Sequence, residues 1–192
     1  MEADLADENQ TRALANELGS RANVLGIVNN VGIAKNETID AVEVAAFKAV
    51  IDLNVRPALQ LTQALLPTMR AARFGRIINV TSLVTRGLAF RASYAAAKAA
   101  LESLTRTMAA ELAADGITAN AVAPGPTETE LFRANNPPGS EGEARYLRGV
   151  PMKRFAQPEE IAAAIAFLAG EKAGFITGQT FFIDGGSSLG SL

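Results

Sequence analysis

Apolar positions along this chain alternate between helical spacing and short continuous runs. Residues 7–19 place Ala13, Leu14 and Leu18 on one helical stripe that Gly19 closes. Asn23–Val28 (NVLGIV) is a short, mostly apolar run that predicts a strand, ending in Asn29-Asn30-Val31-Gly32. From about Val42 to Ala72 the spacing is helical again, and Pro57 and Pro67 are expected to kink or interrupt it. Ile77–Val80 (IINV) predicts a buried strand followed by Thr81-Ser82. Ala92–Ala114 predicts an Ala-rich helix stopped by Asp115-Gly116, and Ile117–Val122 a strand stopped by Pro124-Gly125-Pro126. Residues 128–157 carry no clear period and are expected to be irregular, apart from a short helical stretch near Tyr146. Gln157-Pro158-Glu159-Glu160 opens a helix over Ile161–Leu168, with Pro158 suited to its first turn. Thr180–Ile183 (TFFI) is the last strand, closed by Asp184-Gly185-Gly186.

This alternation predicts βαβ units around a parallel sheet. No internal repeat or linker divides the chain, so residues 1–192 are expected to form one α/β domain. In such sheets ligands gather outside the carboxyl ends of the strands. The candidate site therefore comprises Asn29–Gly32, Thr81-Ser82, Pro124–Thr129 and Asp184–Gly186, a polar, Gly-rich set.

Composition narrows the chemistry. The 192 residues include no His and no Cys, which excludes a Ser-His-Asp triad, an HExxH zinc site, thiolate nucleophiles and iron–sulfur ligation. Proton chemistry near neutrality must come from Tyr, Lys, Asp or Glu with shifted pKa values, or from a cofactor. A formal charge of -2 with scattered Lys and Arg gives no footprint for nucleic acid or an anionic membrane. The acidic start (Glu2, Asp4, Asp7, Glu8) and the lack of a long apolar run argue against a signal peptide or membrane span, so the expected location is cytoplasmic.

Tyr94-Ala-Ala-Ala-Lys98 is the sharpest local feature. Spacing i, i+4 puts both side chains on one helix face. An ammonium near a phenol favours the phenolate and lowers its pKa from about 10; the same spacing also describes an ordinary surface pair. Ser82 follows an apolar strand, where its hydroxyl can polarise a carbonyl oxygen or merely turn the chain. Asn54 sits in a helical stretch, where it can open the backbone ladder and hold a water beside a Lys, or simply face solvent.

Together, Asn54, Ser82, Tyr94 and Lys98 resemble the Asn-Ser-Tyr-Lys tetrad of the classical short-chain dehydrogenase/reductase family. Other marks agree: Asn29-Asn30-Val31-Gly32 is similar to the NNAG turn, and Asn120 through Pro124-Gly125 to the PG motif. Thr177-Gly178-Gln179 with Asp184-Gly185-Gly186 resembles the TGQ…DGG signature, and Gly149-Val150-Pro151 through Arg154 to Pro158–Ala162 the approach to the last helix. The resemblance covers nearly the whole chain. It implies a Rossmann-like, doubly wound sheet and hydride transfer between NAD or NADP and a ketone or secondary alcohol. Tyr94 would be the general acid for reduction and base for oxidation, and Ser82 would orient and polarise the carbonyl. Lys98 would lower the Tyr94 pKa and hold the nicotinamide ribose, with Asn54 supporting a water relay. Tyr94 and Lys98 thus also count among the cofactor contacts. Asp4 and Leu5 would contact adenine, Asn30 and Gly32 the adenosine ribose, and Pro124, Gly125, Thr127 and Thr129 the nicotinamide side and its phosphate. Val31 stands where Ala is usual, and Thr127 where Ile or Val is usual.

The family's TGxxxGxG turn, which carries the pyrophosphate at a helix N-terminus, has no counterpart in this sequence. Asp4-Leu5 aligns with the end of the family's third strand, so roughly 50 residues of βαβ structure would precede it. The chain is therefore expected to be the tail of a longer enzyme, or else a non-catalytic scaffold of the same fold. The subgroup it resembles most is the 3-oxoacyl-[acyl-carrier-protein] reductases, with alcohol, polyol and sugar dehydrogenases as the alternative. The substrate loop maps to about residues 128–150, with Leu131, Phe132, Tyr146 and Leu147 as possible apolar contacts, and Arg86, Arg91 and Arg133 as candidates for a carrier-docking patch. The residue choosing NAD or NADP falls outside the matched segment. Small residues on the Ala92–Ala114 helix, in the family's interface position, imply a homodimer or homotetramer; no metal is implied.

Overall fold

A computed structural model of the chain describes residues 2–190, with the side chains of Leu131 and Asn135 outside the described set. Four parallel strands, β1 (Gly26–Asn29), β2 (Gly75–Val80), β3 (Ile117–Pro124) and β4 (Thr180–Ile183), lie in the order β1-β2-β3-β4. Helices α1 (Glu8–Gly19), α2 (Val44–Ala72) and α3 (Ala92–Leu112) come before β3. Helices α4 (Glu130–Asn135), α5 (Glu141–Arg148) and α6 (Pro158–Ala169) separate β3 from β4.

Strand residues alternate between two apolar layers. Ile77, Ile117 and Ala119 pack with Leu65 and Met69 of α2 and Met108, Ala109 and Leu112 of α3. Ile78 and Val122 pack with Ile161 and Leu168 of α6. Helices thus cover both faces, which is why β2 and β3 are buried continuously rather than on alternate residues, polar Asn79 and Asn120 included. α1 lies against α2, its first turn capped by the Asp7 carboxylate, which accepts from the Asn9 and Gln10 amides at 2.8 and 3.3 Å.

Three sequence expectations are corrected. α2 runs unbroken through Pro57 and Pro67. Each proline forgoes a backbone hydrogen bond, at a cost of about 3 kcal/mol in a helix interior, and burial of Val50, Ala58, Leu61, Leu65 and Met69 along the same helix offsets it. The first strand starts at Gly26, because residues 22–23 turn and only Leu25 and beyond bond to β2, the Arg76 amide donating to the Leu25 carbonyl at 3.0 Å. The stretch expected to be irregular holds, besides the helix expected near Tyr146 (α5), a further one not expected (α4), each capped by a hydroxyl. Thr129 Oγ1 accepts from the Phe132 amide at 3.1 Å and Ser140 Oγ from the Glu143 amide at 3.2 Å.

Candidate active site

A buried side-chain relay fixes the carboxyl ends of β1 and β2. Asn29 Nδ2 donates to Asn79 Oδ1, Asn79 Nδ2 to Thr105 Oγ1, and Thr105 Oγ1 to the Leu101 carbonyl, each at 2.8 Å. The first Asn of the Asn29-Asn30 pair is thereby consumed in tying β1 to β2 and α3, leaving Asn30 exposed at the strand end.

The tetrad assembles beside this relay. Lys98 reaches back from α3 so that its Nζ donates to the Val80 carbonyl at 2.8 Å, and it is only 3% exposed. Tyr94 stands one turn earlier, with Lys98 Nζ 5.6 Å from its ring centroid. Ser82 leaves β2 in extended backbone and accepts from the Val84 amide at 3.4 Å. Asn54 on α2 donates through Nδ2 to the Val50 carbonyl at 2.8 Å and the Ile33 carbonyl at 3.0 Å. It does not open the helix ladder; it ties the loop after β1 to α2. Its Oδ1 is buried without a hydrogen-bond partner among the described residues. That oxygen points at Gly32: a Cβ there would overlap Asn54 Oδ1 and come within 3.3 Å of Lys98 Nζ. Glycine at 32 is what allows the strand-end loop to pass so close.

The electrostatics correct one expectation. Burial is the largest influence on Tyr94 and raises its pKa above 10.0, against the Ser82 hydrogen bond and the Arg91 charge, which favour the phenolate. Lys98 does not dominate the phenol. The same burial disfavours its own charge and pushes its pKa down to about 8.

The remaining predicted residues separate into groups. Leu5 and Asn30 line one cavity of about 180 Å³ with Val31, Leu53 and Asn54. Asp4 is exposed and spends its carboxylate on the Ala6 amide at 2.9 Å. Pro124 ends β3 and Gly125, Thr127 and Thr129 follow it; none of the four lines that cavity. Gly125 has a packing reason of its own, since a Cβ there would sit 2.7 Å from Asp184 Cα. Thr127 Oγ1 donates to the Gly125 carbonyl at 3.0 Å, while Thr129 caps α4. Arg133 is held between Glu128 and Glu143 and so adds little positive potential for a carrier protein, whereas Arg91 donates to the Tyr146 hydroxyl at 3.1 Å. Phe132 packs edge-on to Tyr146 and Phe155; the Leu131 side chain lies outside the described residues. Glu37, which no local sequence signal marks, is buried against Ser93 at the start of α3.

A parallel sheet with helices on both faces, and Asn, Ser, Tyr and Lys gathered at its carboxyl edge, defines a Rossmann-like oxidoreductase scaffold. The family profile described as enoyl-(acyl carrier protein) reductase matches residues 1–188. The acetoacetyl-CoA reductase of Allochromatium vinosum is 37% identical over 186 residues, 96% of this chain and 74% of that protein. The 3-oxoacyl-[acyl-carrier-protein] reductase FabG of Vibrio cholerae is 40% identical over 176 residues, 91% of this chain and 70% of that protein. An NADP-bound gluconate 5-dehydrogenase described as putative, from Beutenbergia cavernae, superposes with a TM-score of 0.91 at 33% identity, covering 98% of this chain and 76% of that one. The chain belongs to the short-chain dehydrogenase/reductase family and is an NAD(P)-dependent oxidoreductase of it.

The side chains fit a nicotinamide nucleotide. Lys98 has ammonium hydrogens left after its bond to Val80, and Asn54 offers an unpaired buried acceptor beside it. The Gly32 backbone passes next to both, a donor and acceptor set suited to ribose hydroxyls and an ordered water.

Proposed function

We propose that this chain reduces the ketone of a 3-oxoacyl thioester to the secondary alcohol, and runs the reverse oxidation on the same site. A nicotinamide nucleotide held at this site would supply or accept the hydride at the carbon. Tyr94 gives its phenolic proton to the carbonyl oxygen in reduction and takes it back in oxidation. Ser82 donates to the same oxygen as negative charge builds there. Lys98, anchored on the Val80 carbonyl, favours the phenolate as it forms and holds ribose hydroxyls. Asn54 Oδ1 accepts from a water that returns protons to Lys98. Asp4, Leu5, Asn30 and Gly32 take the adenosine half of the cofactor, and Pro124, Gly125, Thr127 and Thr129 the nicotinamide half.

The observation that carries this reading is Lys98, its ammonium 5.6 Å from the Tyr94 ring and pinned to the Val80 carbonyl at the strand end that Ser82 follows. The names of the similar proteins, acetoacetyl-CoA reductase and 3-oxoacyl-[acyl-carrier-protein] reductase, support the thioester as substrate class. With Arg133 held by carboxylates, Arg86 and Arg91 remain to meet an acidic carrier. The same reading makes the protein a cytoplasmic homodimer or homotetramer. Tyr94→Phe is the decisive variant. Reduced-nicotinamide absorbance with acetoacetyl-CoA should show kcat reduced about 10²–10⁴-fold, at unchanged circular dichroism. Wild-type turnover by that variant removes Tyr94 from proton transfer.

A further inference from the structure

Glu37 is a carboxylate buried at the start of the helix that carries Tyr94, with 8% exposure. Its Oε1 accepts from the Ser93 amide at 3.3 Å and from the Ser93 hydroxyl. Its own amide donates to the Phe90 carbonyl at 3.1 Å, and its backbone bridges to Arg91. Phe90 sits in the left-handed region at φ 64°, a conformation a bulky side chain adopts only where its surroundings enforce it. The N-cap of α3, Arg91, makes no side-chain capping bond. The Ser93 amide, one of the helix's unpaired first-turn donors, is thus satisfied from outside by Glu37. The same loop offers its Ile33 carbonyl to Asn54. Residues 33–37 therefore tie the α2 member of the tetrad to the first turn of α3.

We propose that Glu37 is a positioning residue, acting through Ser93 to set where the Tyr94 phenol stands against Ser82 and Lys98. This rests on the reading of Tyr94 as the proton donor. Glu37 Oε2 is buried with no hydrogen-bond partner among the described residues, Lys35 Nζ lying 3.8 Å away on the same loop. A carboxylate so incompletely paired is costly to bury, and what it gains in return is the fixed start of α3. The charged groups around it are Lys35 on its own segment and Arg91 at the helix start, with Tyr94 and Lys98 following along α3.

The chain has two tyrosines and no tryptophan, so Tyr146→Phe leaves Tyr94 as its sole phenol. In that background, ultraviolet titration reads Tyr94 whether or not the enzyme turns over. Adding Glu37→Ala should release the phenol from its buried place and bring its midpoint back toward the ordinary value of about 10. The single variant Glu37→Ala should lower kcat at least about tenfold with little change in KM. Glu37→Gln keeps an oxygen for Ser93 and should restore both readouts. A Glu37→Ala protein with lower Tm but parental midpoint and kcat would reduce Glu37 to a fold-stabilising residue and overturn the proposal. So would a Glu37→Gln protein as impaired as Glu37→Ala, because charge rather than placement would then be at work. Should Tyr94→Phe retain activity, the proton-donor reading fails separately, and the titration still reports whether Glu37 places the phenol.

Discussion

Lys98 keeps an ammonium where water scarcely reaches it, with the Val80 carbonyl as its protein acceptor. Its pKa falls from 10.5 to about 8. Between those values the unfolded chain holds a proton that the folded chain has shed. The folded state therefore carries a penalty below pH 8 that is relieved as pH rises toward 10.5, about 3 kcal/mol in total. Tyr94 acts in the opposite sense. Its pKa is raised, so above pH 10 the unfolded chain ionises first and stability falls. Urea denaturation at pH 7 and pH 9.5 should show the wild type gaining stability relative to Lys98→Met at the higher pH, and a constant difference would contradict the burial argument. The i, i+4 spacing announced that these two side chains share a face; it carried no information on burial, and burial set the direction of both shifts. Asn54 is similar: its helical position was legible, but its bond to Ile33 joins residues far apart in the chain.

At the scale of elements, period and capping predicted well where packing and local preference agree. The span of β4 and the Pro158 start of α6 match the pattern of the sequence. α2 departs from it, because the buried face of a long helix outweighs two internal prolines. Pro57 is part of that buried face, whereas Pro67 is exposed. Pro67→Ala restores a donor to the Gln63 carbonyl without opening a cavity. It should stabilise the protein by about 1–3 kcal/mol, after allowing for the freedom the unfolded chain regains. Thermal denaturation followed by circular dichroism would register this as a higher Tm, and an unchanged or lower Tm would mean that the proline ring is itself packed to advantage. α5 falls where a short helical stretch near Tyr146 was expected, and Ser140 and Glu143 have capping-box spacing at its start. The six residues of α4 are too few for a period to emerge.

For the molecule as a whole, the sheet and its two helical layers decide what faces outward. β1 is the outer strand of the described sheet, with Val28 45% exposed, and α3 presents Ala99, Ala100 and Ala110 to solvent. A homodimer or homotetramer would cover such a face with closely approaching helices. Light scattering at micromolar concentration should give two or four times 20.1 kDa, and a monomer would refute the assembly. The sequence by itself determined the α/β alternation, the exclusion of His and Cys chemistry, and which four residues are proposed as the tetrad, because apolar period, composition and short motifs are local properties. Only the tertiary structure decided the direction of the Tyr94 and Lys98 shifts, the orphaned Asn54 oxygen beside Gly32 and the Glu37 tie to Ser93. Each of these depends on desolvation and on contacts between distant segments, which exist only once the layers have closed on the sheet.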